Sequence, residues 1–166
     1  AEIMTGGAAT NVGAALARMG LEVGCACKVG RDGPGERIRQ EMEQFGVDTS
    51  LMITTDKFRT GYSIILTTFT GERTILVHRG ANRHLSMDEL DAEILGKAHW
   101  IYLGSMRGPA AKLFFELAEF AGDNSIKLAI NPGGTQIDLG LDGLRPVLER
   151  THIIFVNKSE AYRLTG

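Results

Sequence analysis

Cysteine is scarce in this chain: Cys25 and Cys27 are the only ones. That scarcity argues against a small secreted domain stapled by disulfides. A Cys-x-Cys with no further Cys or nearby His also supplies too few ligands for a structural zinc site. The pair is expected as thiols sharing one face of a strand within residues 23–29, which suits a reducing cytosol; a redox or metal pair is the competing reading. An excess of one charge is missing too. Lys and Arg number 18 against 20 Asp and Glu, a net charge of -2, so neither nucleic acid nor an anionic membrane is an expected partner. No apolar run approaches the roughly 18 residues needed to cross a bilayer. The start, Ala1-Glu2-Ile3-Met4, lacks the basic and apolar regions of a signal peptide. A cytoplasmic location is therefore expected. With 166 residues, 43% apolar and 23% charged, the chain has the composition of a globular domain with a sizeable core.

Helical and strand-like segments alternate, the signature of an α/β fold with a parallel sheet. An Ala-rich helix is expected over 11–19, closing at Gly20, and a strand over 21–29. Pro34 opens a helix with Ile38, Met42 and Phe45 on one face, ended by Gly46. Ser86 and Glu89 form a Ser-x-x-Glu capping pattern, with Leu85 and Leu90 placed as a hydrophobic staple. Strands follow at 99–103, 127–130 and 153–156, and helices at 109–121, 144–150 and from Ser159. The 109–121 helix is apolar nearly all round and is expected to be covered on two sides.

Residues 51–78 read differently. Segments 60–69 and 73–78 are rich in Ile, Thr and Val, with Thr70-Gly71-Glu72 between them as a short turn. This is a β-hairpin inserted into an alternating α/β chain, and it is expected to project as a flap. The division expected is a partial α/β core over 1–49 and 81–166, with a β lid insertion over 50–80.

Ligands of open parallel sheets bind outside the carboxyl ends of the strands. The expected core strands are followed by Gly30-Arg31-Asp32-Gly33, Gly104-Ser105, Asn131-Pro132-Gly133-Gly134 and Asn157-Lys158-Ser159-Glu160. Turns are often polar and glycine-rich, so each is only a candidate. The run Gly6-Gly7-Ala8-Ala9-Thr10-Asn11 is more pointed. Its small residues allow close backbone approach, and Asn11 brings a donor and an acceptor suited to a hydroxylated ligand. Read without a ligand, Gly6-Gly7 is a turn and Asn11 a helix cap. Glu160 in a first helical turn is ordinarily a dipole partner, yet a carboxylate at a phosphate site can also hold Mg²⁺. Asp32 and Asp138 read as turn caps. His78 and His84 read as surface or lid-packing residues. Arg107 reads as a surface residue at a helix start, with contact to an anionic substrate as the competing reading.

Taken together, these residues resemble the PfkB/ribokinase family of carbohydrate and nucleoside kinases. Gly6 through Asn11, Gly20, Gly30, Asp32 and Gly35 resemble its first signature, although Gly13 stands where Ser, Thr or Ala is preferred. Thr60-Gly61 and Gly80-Ala81-Asn82 resemble the lid segment and its return to the core. Asn131-Pro132, Asn157-Lys158-Ser159-Glu160-Ala161 and Leu164-Thr165-Gly166 resemble the stretch that carries an Asn-x-x-Glu motif.

The resemblance implies a ribokinase-like α/β fold, its parallel sheet flanked by helices and carrying the hairpin lid. It implies transfer of the ATP γ-phosphoryl group, with Mg²⁺, to a hydroxyl of a sugar, as in ribokinase or fructokinase. A nucleoside kinase and a non-catalytic module that binds ligand or dimerises through its lid are the alternatives. Gly6, Gly7, Ala8, Ala9, Thr10, Asn11 and Asn82 would contact substrate, while Asn157 and Glu160 would organise metal and phosphates. Edge strands such as 60–69 invite pairing, so a homodimer through the lid is a further expectation. The family's second signature, Asp-Thr-x-Gly-Ala-Gly-Asp, holds its general base and anion hole and is absent from this sequence. The chain is therefore expected to be truncated at both ends, with no catalytic base of its own and no activity alone.

Overall fold

The structure is a computed structural model describing residues 3–67, 69 and 72–166. Its first helix, α1 (Ala8–Arg18), starts earlier than the sequence suggests: Gly7, at φ 125°, is the N-cap, and Asn11 lies inside the first turns. The correction has a physical cause. Only glycine takes that φ without strain, so the chain turns at Gly7 and leaves Ala8 free to begin the helix. Strand β1 (Cys27–Gly30) is shorter than expected, and the chain before it makes only an isolated parallel bridge, Gly24 to Asp48. Helix α2 (Gly33–Gln44) is capped by Asp32 and carries Pro34 in its first turn, where the missing N–H costs nothing. Strand β2 (Met52–Thr55) pairs parallel to β1, Cys27 opposite Met52.

The antiparallel hairpin consists of β3 (Tyr62–Thr67) and β4 (Arg73–His78), with Tyr62 opposite His78 and Thr67 opposite Arg73. Every residue of both strands is exposed. In the expected turn, Thr70 and Gly71 lie outside the described residues. The return to the core is a 3-10 turn, Gly80–His84. The Ser86–Glu89 capping pattern begins another, Met87–Glu89, rather than an α-helix; a short helix α3 (Ala92–Leu95) follows under the cap of Asp91.

Strand β5 (Trp100–Leu103), a 3-10 turn Gly108–Ala110, α4 (Ala111–Asp123) and β6 (Lys127–Ile130) come next. The short α5 (Gly134–Ile137) precedes α6 (Gly140–Leu148), β7 (Thr151–Ile154) and α7 (Lys158–Thr165). The last three strands form a parallel sheet in the order β5-β6-β7. Leu113, Phe114, Leu117, Ala118 and Ala121 repeat at helical spacing and bury one face of α4. Phe115 and Phe120 on its flanks also pack against the core, whereas Lys112 stays in water.

Two apolar clusters hold these layers. The larger gathers Leu103, Phe114, Leu128, Ile130 and Leu144 between the β5-β6-β7 sheet and its helices. The smaller gathers Cys25, Val29, Met42 and Met52, with Ala9, Ala14 and Ala17 of α1 and Ile38 of α2. Cys25 and Cys27 are free thiols. They hydrogen-bond to one another, which raises the Cys27 thiol far above its ordinary pKa, and burial adds to the rise. Among the described residues no helix is long and apolar enough to cross a membrane.

Candidate functional site

The carboxyl ends of β1, β5, β6 and β7 lead into turns that carry most of the chain's unusual contacts. At β1, Gly30 N–H donates to Thr60 Oγ1 at 2.9 Å. Asp32 then collects three donors: Gly35 N–H at 3.0 Å, Thr60 N–H at 2.9 Å and Thr60 Oγ1 at 2.5 Å. Partial burial raises the Asp32 carboxyl, but the Thr60 and Gly35 donors and the nearby Arg59 charge outweigh it and hold the pKa below the ordinary value. Asp32 is thus more than the expected cap, because it ties α2 to the root of the hairpin. That root is packed backbone on backbone. A Cβ at Gly35 would lie 2.3 Å from the Gly30 carbonyl oxygen, and one at Gly80 would lie 2.2 Å from that of Arg59. His84 stacks on Phe58 at 3.7 Å, and His78 sits tilted against Tyr62.

The turn after β5, residues 104–108, links the separate pieces. Its first residue, Gly104, faces Ala8 so closely that a Cβ there would lie 2.7 Å from Ala8 Cβ. The start of α1, at Ala8 and Ala9, is thereby seated at the carboxyl end of β5. Thr10 is buried and its Oγ1 donates to the Gly7 carbonyl at 3.2 Å. Asn11 is exposed, with its backbone N–H donating to Gly7 O at 3.0 Å. At its far end the turn meets the 3-10 turn holding Asn82, where the Arg83 side chain lies over Gly108. Ala8 and Ala9 therefore border one end of 104–108, with Gly6, Gly7, Thr10 and Asn11 beside them in sequence, and Arg83, the neighbour of Asn82, borders the other.

Asn131, and Gln136, which the sequence alone does not single out, brace this edge. Gln136 is 1% exposed; its Oε1 accepts from Gly133 N–H at 3.2 Å, and its amide donates to the Met106 carbonyl. Asn131 N–H donates to Leu103 O at 2.8 Å, while its Nδ2 donates to Phe155 O at 2.6 Å. Only the fold shows that these side chains bridge neighbouring turns. Asn157 and Glu160 stand apart at the end of β7 and cap each other. Asn157 Oδ1 accepts from Glu160 N–H at 2.9 Å, and Glu160 Oε2 accepts from Asn157 N–H at 2.9 Å. Asp138 pairs with Arg163, which accounts for it as a structural residue. Among the described residues no cluster of His, Cys, Asp and Glu is large enough to hold a metal alone.

Arg79, Arg83 and Arg107 meet where the lid return joins the turn after β5. Burial lowers the Arg79 pKa, and the charges of Arg107 and Arg83 lower it further.

Comparison with known proteins agrees with this layout. A ribokinase of Haemophilus influenzae is 31% identical over 169 residues, covering 99% of this chain and 52% of the relative. An ATP-dependent ribose-1-phosphate kinase of Halopiger xanaduensis is 28% identical, covering 93% and 50%. The solved structure of Arabidopsis thaliana ribokinase, complexed with ribose and ATP, superposes with a TM-score of 0.78 at 21% identity, covering 95% of this chain and 50% of that one. The fold is therefore ribokinase-like. The chain spans about half the length of the curated relatives it matches. The pfkB carbohydrate kinase family model matches residues 2–166, and the chain belongs to that family.

Proposed function

We propose that this chain is the acceptor-binding side of an ATP-dependent kinase that phosphorylates a hydroxyl of a sugar, of ribokinase or fructokinase type. The observation that carries this reading is the seating of Ala8 against Gly104. It brings the Gly6–Asn11 run, with its small residues and exposed amide side chain, to the sheet edge where ligands of parallel sheets bind. In this reading Asn11 and Asn82 hydrogen-bond substrate hydroxyls, and Thr10 holds the turn in shape from beneath. The hairpin covers the sugar and excludes water, which would otherwise compete as acceptor.

Asn157 and Glu160 fit a role at the phosphate end. Their reciprocal capping occupies Asn157 Oδ1 and Glu160 Oε2. It leaves Glu160 Oε1 to accept from a water on Mg²⁺, an ion that keeps waters and needs few protein carboxylates. Bound Mg²⁺ and ATP would supply the phosphoryl group and neutralise its charge. The chain's own residues orient the acceptor and hold the helix end that faces the phosphates.

The sequence contains no Asp-Thr-x-Gly-Ala-Gly-Asp, so the 166 residues are expected to bind sugar without phosphorylating it. Free thiols at Cys25 and Cys27 suit a cytoplasmic setting. The fully exposed strands β3 and β4 favour a homodimer through the lids.

Calorimetric titration with ribose, fructose and adenosine tests the reading. Binding of a sugar, weakened about tenfold or more by Asn11→Ala, is expected. Preference for adenosine would turn the assignment to a nucleoside, and an unchanged affinity in Asn11→Ala would remove that residue from the site.

A further inference from the structure

Four of the twelve arginines pair with a carboxylate among the described residues. Arg31 pairs with Asp56, Arg37 with Glu41, Arg145 with Asp142 and Arg163 with Asp138. Arg79, Arg83 and Arg107 do not: among the described residues no carboxylate pairs with any of them. They are also close enough for Arg83 and Arg107 to depress the Arg79 pKa together with its burial. A guanidinium cannot relieve such repulsion by giving up its proton at any ordinary pH.

Their placement is ordered by the backbone. Arg79 precedes and Arg83 lies within the 3-10 turn that returns from the lid; Arg107 immediately precedes a later one, Gly108–Ala110. The Arg83 guanidinium lies against Gly108, its Nε 2.8 Å from where a Cβ would stand, so only glycine there leaves room for it. Arg107 reaches toward Gly134 after β6, with Nη2 3.5 Å from that residue's Cβ position. The cluster therefore spans the lid return and two turns of the ligand edge.

We propose that Arg79, Arg83 and Arg107 form an anion-binding corner for a phosphate or carboxylate carried by the acceptor sugar itself. The inference rests on the sugar-kinase reading and narrows it to acidic sugars. Planar guanidiniums recognise either group through paired hydrogen bonds. The corner belongs to the acceptor rather than to the nucleotide, because the turn that bears Arg107 begins against Ala8 of the substrate run. Asn157 and Glu160, by contrast, lie at the end of β7, with β6 between that strand and β5. An anion held here would also join the lid return to the core, so binding of the acidic group would draw the hairpin over the sugar.

The test is calorimetric titration of the protein, without nucleotide, against ribose, ribose 1-phosphate and gluconate, with ADP in a separate arm. At least one acidic sugar is expected to bind about tenfold tighter than ribose, with the gap narrowing as salt is raised. The phosphate and carboxylate arms tell the two sources apart. In Arg107→Gln and in the triple variant Arg79→Gln, Arg83→Gln, Arg107→Gln most of the gap should vanish, while Arg107→Lys should keep part of it. Melting temperatures control for folding of these exposed positions. Ribose binding as tightly as both acidic sugars, or a gap intact in the triple variant, overturns this inference alone. Loss of ADP affinity with the sugar gap intact also overturns it and assigns the corner to the nucleotide. Failure of every sugar to bind overturns the sugar-kinase reading as well.

Discussion

Asp32 and Thr60, 28 residues apart in sequence, are joined by two hydrogen bonds of 2.9 and 2.5 Å. The same threonine hydroxyl accepts from Gly30 N–H, and the same carboxylate caps α2 through Gly35. One small pair thus fixes the end of β1, the start of α2 and the root of the lid. Thr60 is 3% exposed, so its hydroxyl and N–H cannot turn to water when Asp32 is removed.

Replacing Asp32 by Ala should cost about 2–3 kcal/mol, from the lost cap and the unmatched Thr60 donors. In a chain of this size that lowers the melting temperature by roughly 5–10 °C. Thr60→Val should cost about as much, whereas Thr60→Ser keeps the hydroxyl and should cost well under half. The double variant should be less destabilised than the sum of the singles, since both remove one contact. Strictly additive melting data would show that the two residues act separately.

Asp32 and Glu89 both have carboxyl pKa values held below the ordinary range. Burial raises each, and this is outweighed by Thr60 and Gly35 at Asp32 and by Lys28 and Ser86 at Glu89. A carboxylate with a depressed folded-state pKa contributes stability above its unfolded value of about 4, and that contribution is lost as pH falls through the folded value. The melting temperature should therefore drop steeply below about pH 4, and less steeply in Asp32→Asn. Equal slopes for the two proteins would disprove the linkage at Asp32.

Lys28 is the buried cation of the core, its side chain 8% exposed and paired with Glu89. Its ammonium also donates to the His84 carbonyl at 3.0 Å, joining β1 to the lid return. Lys28→Met strands a partly buried carboxylate and should cost about 3–5 kcal/mol. Adding Glu89→Leu should recover part of that loss, measurable as a higher urea midpoint than in Lys28→Met alone. A double variant less stable than the single would reverse this assignment.

Gly35→Ala or Gly80→Ala should loosen the lid root by about 3 kcal/mol or more, because each new methyl meets backbone oxygen. Gly80 adds a φ of 50° that side chains disfavour. Limited digestion with trypsin reads this directly, since Arg59 and Arg79 flank the root. Faster cleavage at both is expected, and cleavage at the wild-type rate would show that the root absorbs the methyl.

Much of this architecture was legible from spacing. An apolar run marked α4, Pro34 marked the start of α2, and β-branched residues marked both hairpin strands. Errors fell where a single backbone angle or a distant partner decides. Gly7 rather than Asn11 caps α1, because a positive φ leaves no signature beyond the glycine itself. The stretch before Cys27 is apolar enough for a strand but finds only the Gly24 bridge to Asp48. The Ser86–Glu89 box drew Glu89 toward Lys28, 61 residues away, and no local pattern could have paired them. Likewise, nothing local marks Gln136, whose partner Met106 is brought beside it only by the fold. Arg79 and Arg83 gave no signal apart from Arg107, which the chain reaches only after another strand.

The lid root reverses the usual relation between size and tolerance. On the hairpin, large side chains such as Ile64, Ile65 and Leu76 stand in solvent and can be exchanged for many others without disturbing the fold. At the root, the smallest residue in the alphabet leaves no room for even one more carbon. In a saturation library the ribbon should therefore read as permissive and its few attachment glycines as nearly forbidden. Selection for folding alone leaves the ribbon open to change while holding its mounting fixed, so any constraint found on the ribbon itself reports on what it binds.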